Sequence, residues 1–286
     1  MRIGQVTDSG GTRLAVLDGA RTLVLARPHD GIASALDLLT SVGFGTIDPE
    51  DWQRSALAAG ALADAGRDAR PTMPMTPAEV WGAGVTYRRS ADFREEGSGI
   101  YDRVYVDPRP ELFFKATASR CVGPGEPIGR RRDSAFTATE PELAVVTDPL
   151  GSILGYTLAN DVSAWDIERE NPLYLPQSKV YRACFAFGPV IVTRDEIADP
   201  QALELRCRVT RGGREVFSGA ASTSQMKRSI HELIQWLLRS NEVPPGTVLS
   251  TGTGIIQPME VGLEEGDLVT IECAEIGVLT NPVALV

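Results

Sequence analysis

Short apolar runs bounded by Gly, Pro or Asp recur along most of this chain, and their length predicts strands. They cover 111–116, 142–147, 153–158, 186–192, 203–209, 247–250, 268–273 and 277–283, and the β-branched residues within them suit a pleated surface. A large, curved, mostly β unit is therefore expected. One helix crosses it: Ile230, Leu233, Ile234, Leu237 and Leu238 repeat at helical spacing within 229–239, an apolar stripe that faces the core. His231 falls off the stripe and is read as a surface residue. Ahead of this unit, strands are expected over 1–6, 13–17 and 22–26, with Ser9-Gly10-Gly11 and Asp18-Gly19 as turns. Helices are expected over 32–42 and 52–65, and the Ala/Gly/Asp-rich stretch ending at Pro71, Pro74 and Pro77 reads as a linker. The pattern thus divides into a small β-rich N-terminal α+β domain, residues 1–72, and a large β domain, residues 73–286, which would carry any catalytic site at its core.

Composition narrows the function more than the fold. A chain of 286 residues can bury a full core without disulfides or a structural metal. Its net charge of −10, with no basic run beyond Arg130-Arg131-Arg132, disfavours nucleic acid and anionic membranes as partners. No apolar run is long enough to span a bilayer and no signal segment is read at Met1, so a cytoplasmic protein is expected. The four cysteines are scattered, without a Cys-x-x-Cys pair, and read as buried thiols rather than zinc ligands. With only His29 and His231 available, there is little room for a Ser-His-Asp triad or histidine acid–base chemistry.

The chemistry points instead to carboxylates. Glu140 and Glu142 stand at i and i+2, which in a strand places both side chains on one face, and Asp161 closes the next apolar run. An exposed strand edge also carries such alternating charge. Here, however, Glu142 leads directly into the apolar 143–146 and Asp161 follows the apolar 153–159, so the carboxylates stand at the mouth of a core. Carboxylates there require a compensating cation, and oxygen-only ligands suit Mg²⁺, Mn²⁺ or Ca²⁺ rather than zinc. Lys179 adds a fixed positive charge beside them.

Several segments carry a family resemblance: 81–87 (WGAGVTY), 110–115 (PELFFK), 140–143 (EPEL), 155–166 (GYTLANDVSAWD), Lys179 with 187–189 (FGP), 250–254 (STGTG), 262–267 (GLEEGD) and 276–281 (IGVLTN). In that order they resemble the fumarylacetoacetate hydrolase superfamily over about residues 78–286. The resemblance implies a mixed β-roll, Mg²⁺ or Mn²⁺ held by Glu140, Glu142 and Asp161, Lys179 near the substrate, and assembly into a homodimer or homotetramer. Within the superfamily, 86–96, 109–117, 120–124 and 170–179 are similar to a branch of dehydratases acting on 2-keto-3-deoxy sugar acids. Two departures from the wider family point away from water-activated C–C cleavage. The segment 88–99 has no histidine where hydrolases and decarboxylases carry a His/Glu pair, and Glu168 stands where they carry glutamine.

The activity so implied is the dehydration of a 2-keto-3-deoxy pentonate, with D-arabinonate the expected form, to 2-oxoglutarate semialdehyde through an enolate that the cation stabilises. Lys179 is the expected base or, equally, the charge partner of the substrate carboxylate; Glu168 or Glu95 is expected to protonate the leaving hydroxyl. Tyr87, Arg88 and Ser90 are candidates for binding substrate oxygens, although the arginines at 88 and 89 read equally well as solvated. Thr251 and Thr253, in Thr-Gly-Thr-Gly after a strand, suit carboxylate binding as well as a tight turn. Lys115 faces either the pocket or water, and 95–101, with Gly97 and Gly99, reads as a lid. The competing readings are an acylpyruvate or 2,4-diketo acid hydrolase, an oxaloacetate decarboxylase, and a non-catalytic sugar-acid binder.

Overall fold

The computed structural model describes residues 1–88 and 99–286, the Ile100 side chain excepted. The N-terminal strands β1 (Arg2–Asp8), β2 (Gly11–Asp18) and β3 (Arg21–Leu25) form an antiparallel meander. Two helices follow, α1 (Ala35–Gly43) and α2 (Pro49–Ala58), each started by a side-chain cap: Ser34 with Asp37 in a capping box, and Asp48 ahead of Pro49. The helix expected over 52–65 therefore starts earlier and ends sooner. Gly60, at φ +64°, takes the left-handed position, and the Gly60 and Ala61 N–H groups donate to the Leu57 and Ala56 carbonyls in a Schellman turn. That turn frees the next residues to form β4 (Leu62–Asp64) on β3, and β5 (Arg70–Pro71), inside the stretch read as a linker, pairs with β1.

The remaining chain forms β6 (Val80–Gly84), α3 (Ile100–Val106), β7 (Glu111–Ala116), β8 (Cys121–Val122), β9 (Ile128–Arg130), β10 (Thr137–Ala138), β11 (Pro141–Thr147) and β12 (Ile153–Asp161). Then come β13 (Ser163–Ala164), α4 (Trp165–Glu170), α5 (Leu175–Lys179), β14 (Phe185–Thr193), β15 (Glu204–Arg211) and β16 (Arg214–Ser222). It closes with α6 (Ile230–Leu237), β17 (Thr247–Ser250), β18 (Leu268–Cys273) and β19 (Gly277–Leu285). Among the described residues, the large sheet runs β4-β3-β2-β1-β14-β12-β11-β17-β6-β7, with β5 on β1 and β8 on β14; a second sheet runs β16-β15-β18-β19-β9. Both contain parallel and antiparallel pairs, so the mostly β, mixed-sheet expectation holds.

Strand β11 shows why its sequence reads as an unbroken apolar run. Leu143 and Val145 pack into a core shared with Cys207, Val209 and Ile271 of the second sheet, whereas Ala144 and Val146 pack into a core shared with Leu38 and Leu39 of α1. A strand covered on both faces has no polar side to display. The α6 stripe of Ile230, Leu233, Ile234 and Leu237 is buried as its spacing predicts, and His231 is exposed.

Candidate metal centre

The buried middle of the large sheet ends in polar residues, and the β11–β12 register decides where they meet. Pro141 pairs with Asn160 and Glu142 with Ala159, while the Asp161 N–H donates to the Glu140 carbonyl at 3.0 Å. The Asn160 side chain reinforces this corner: its Oδ1 accepts the Glu140 N–H at 3.1 Å and the Thr139 hydroxyl at 3.0 Å. Glu140, Glu142 and Asp161 are thereby gathered, with one carboxylate oxygen of each within 4.8 Å of the others and all three side chains buried.

Each carboxylate is held by donors from different elements. Ser250 Oγ and the Gly252 N–H donate to Glu142 Oε2 at 2.5 and 2.8 Å. Gly252 is required there, since its φ is +92° and a Cβ would come within 2.0 Å of Thr86 Oγ1. Trp165 Nε1 donates to Glu140 Oε1, and Lys179 Nζ donates to Glu140 Oε2 at 2.9 Å, to Asp161 Oδ2 at 3.1 Å and to Ser163 Oγ at 2.6 Å. Lys115 Nζ approaches Asp161 Oδ1 at 2.6 Å and donates to the Val162 carbonyl at 2.8 Å. Lys115 is 0% exposed, so of its two readings the structure excludes the lysine in water.

Among the described residues, three carboxylates face two ammonium groups, which fall short of neutralising the cluster. Burial, with the charges of Asp161 and Glu140 beside it, pushes the Glu142 carboxyl up to about 8, against the opposing pull of Ser250 and Lys179. A site so short of positive charge fits a cation, and its all-oxygen donor set fits Mg²⁺ or Mn²⁺.

The other expected site residues lie at varied positions. Glu168, on α4, is buried; Tyr101 Oη donates to its Oε1 at 3.4 Å and Ser178 Oγ to its Oε2 at 3.5 Å, one residue before Lys179. Tyr87 is buried, and burial together with the Glu142 charge raises its hydroxyl above the usual phenol range. The Thr251 hydroxyl donates to the Leu143 carbonyl at 2.8 Å, and the Thr253 hydroxyl accepts the Ile255 N–H at 3.1 Å, so both tie the loop to main chain. Arg88 is exposed, paired with Asp102 at 3.0 Å and set over the Tyr105 ring. Ser90 and Glu95, and most of the expected lid, lie outside the described residues. Trp165, Ser163, Asn160 and Ser250 were not foreseen as supports; Ser250 adjoins Thr251 in sequence, whereas no spacing signal links Trp165 to Glu140.

Comparison with known proteins shows the family. The family model fumarylacetoacetate (FAA) hydrolase C-terminal matches residues 79–284. The 2-dehydro-3-deoxy-D-arabinonate dehydratase of Saccharolobus solfataricus is 52% identical over 223 residues, which span 76% of this chain and 75% of that protein. A probable 2-keto-3-deoxyxylonate dehydratase of Haloferax volcanii is 46% identical over 231 residues, 80% of each chain. The solved structure of 2-keto-3-deoxy-D-arabinonate dehydratase complexed with magnesium and 2,5-dioxopentanoate matches at a TM-score of 0.85 and 42% identity, covering 100% of this chain and 99% of that one.

Proposed function

Since this chain belongs to the fumarylacetoacetate hydrolase family, we propose that it is a magnesium-dependent hydro-lyase converting 2-keto-3-deoxy-D-arabinonate to 2-oxoglutarate semialdehyde. The observation that carries this reading is the buried cluster of three carboxylates, Glu140, Glu142 and Asp161, in a chain 52% identical to such a dehydratase. The product of the proposed reaction is 2,5-dioxopentanoate under its other name, the compound in the solved magnesium complex.

Glu140, Glu142 and Asp161 would hold the ion, which when bound supplies a Lewis acid for the substrate's carboxylate and adjacent ketone. The chain's own residues supply the rest. Lys179 gives hydrogen bonds to Glu140, Asp161 and Ser163, which favours its role as a fixed positive charge over its role as base. It orients two ligands and stabilises negative charge that develops on the substrate as C3 loses its proton. Lys115 does the same for the second oxygen of Asp161. Glu168 is the remaining buried carboxylate on the adjoining helix, and it takes the proton-transfer role: it accepts the C3 proton and returns it to the C4 hydroxyl, which leaves as water. The resulting unsaturated 2-keto acid tautomerises to the semialdehyde.

The same reading carries the division at residue 72, a homodimeric or homotetrameric assembly and a cytoplasmic location; among the described residues no helix is long and apolar enough to cross a membrane. The test is incubation with Mg²⁺ and 2-keto-3-deoxy-D-arabinonate, its L epimer or an acylpyruvate, with products followed by mass spectrometry and EDTA as control. Semialdehyde from the D substrate, lost with EDTA, is expected. Pyruvate from the acylpyruvate alone would replace the dehydratase with a hydrolase.

A further inference from the structure

Between β6 and β7 the chain makes an excursion whose two described stems are tied to the same tripeptide, Met226-Lys227-Arg228, just ahead of α6. On the entering stem, Tyr87 forms an antiparallel bridge with Met226, and the Lys227 N–H donates to the Thr86 carbonyl at 3.0 Å. On the returning stem, the Lys227 ammonium donates to the Tyr105 carbonyl and stands 4.9 Å from the centre of its ring. Arg228 does most of the fastening. It is only 4% exposed, and its guanidinium donates to the carbonyls of Val104 at 3.2 Å, Asp107 at 2.5 Å and Pro108 at 3.0 Å, and to Glu232 at 2.8 Å.

Those carbonyls lie at and just beyond the C-terminal end of α3, where helix carbonyls lack intrahelical partners and the dipole favours a cation. With Glu232 they make four acceptors, one more than the three donors of an ammonium can serve, whereas the five N–H donors of a planar guanidinium fork suffice. The opposite end of α3 reaches Glu168: Tyr101, in the first turn, is buried and donates to Glu168 Oε1 at 3.4 Å. At the root of the entering stem Val85 is held at φ +52°, a left-handed conformation that a β-branched residue keeps only when its surroundings impose it. Val85 packs with Tyr101, so both stems and the α3 tyrosine belong to one fastened unit.

We infer that Arg228 is a positioning residue: by gripping three main-chain carbonyls it fixes the seat of α3, and through Tyr101 it sets Glu168 for proton transfer. The inference rests on the acid–base role proposed for Glu168. Its test is a double-mutant cycle of Arg228→Met, which keeps the apolar stem, with Tyr101→Phe, and Glu168→Gln measured alongside. Arg228→Met and Tyr101→Phe are each expected to lower kcat about tenfold, and Glu168→Gln to abolish turnover. The double variant is expected to be no slower than the worse single, amide exchange in 100–106 to quicken in Arg228→Met, and Mg²⁺ affinity by calorimetry to stay unchanged. Should Arg228→Met not fold, Arg228→Lys, which keeps the charge but not the fork, takes its place in the cycle. Wild-type kcat in the Arg228 variant, effects that multiply, or Mg²⁺ affinity falling in step with kcat would overturn the inference. A dead Glu168→Gln beside a fully active Arg228 variant would overturn the positioning role alone. A fully active Glu168→Gln would remove the acid–base reading and the route through Tyr101 with it.

Discussion

Glu142 on β11 and Glu272 on β18 are the same residue type on antiparallel strands, yet their surroundings give them different physics. Glu272 is half-exposed and lies 3.7 Å from a half-exposed Arg208, in a cross-strand pair that water and salt screen. Glu142 is buried with Asp161 and Glu140 beside it, and its carboxyl is driven up to about 8. Water stabilises the first charge whether or not its partner is there. The second is tolerable only with Ser250, Gly252, Lys179 and a cation to compensate it. A carboxylate therefore becomes functional here through the withdrawal of water, not through its chemical type.

The sharpest way to break this contrast is Glu142→Gln, which removes one ligand charge at nearly constant volume. Turnover should fall by about three orders of magnitude and Mg²⁺ affinity with it, with secondary structure by circular dichroism unchanged. Normal activity at normal Mg²⁺ affinity would refute the centre. Lys115→Met should lower stability by about 3–5 kcal/mol in denaturant titration, because it deprives the buried Asp161 of a counter-charge.

A pH series sharpens the contrast further. The folded state holds the Glu142 proton up to about 8, above the ordinary value of 4.5, so between these limits it binds more protons than the unfolded chain. Stability of the EDTA-treated protein should accordingly be greatest below pH 4.5 as far as this group is concerned, and decline as pH rises through 8. Mg²⁺ should reverse the decline, its stabilising effect on Tm growing with pH. A Tm shift on adding Mg²⁺ that is equal at pH 5.5 and pH 8 would contradict this account. The smallest effect belongs to the exposed pair: Arg208→Ala should change stability by no more than about 0.5 kcal/mol and leave kcat unaltered.

Legibility in the sequence followed how local each determinant was. Strands of the central sheet and the α6 stripe were readable because periodicity records which faces are covered. The α2 boundary was misread because alanine-rich residues favour helix on both sides of Gly60, and the stop depends on that one left-handed residue. β16 was missed because its positions are exposed or only partly buried and give no apolar run. At the centre, Glu140 and Glu142 announced themselves by spacing, and Asp161 by closing a strand. Arg228 announced only its i,i+4 pair with Glu232, because the carbonyls it grips lie more than a hundred positions away and a carbonyl carries no sequence signal.

What this chain's sequence determined by itself is the acidic, histidine-poor composition, the strand-rich architecture, the three carboxylates and the family they mark. Only the tertiary structure decided that Lys115 and Lys179 both converge on Asp161, that Trp165 supports Glu140, and that one tripeptide fastens both stems leading to Tyr101. The physical reason is range. Periodicity and residue type act over a few positions, whereas a buried charge is balanced by whichever groups the packed sheets bring within about 3 Å, regardless of their distance along the chain.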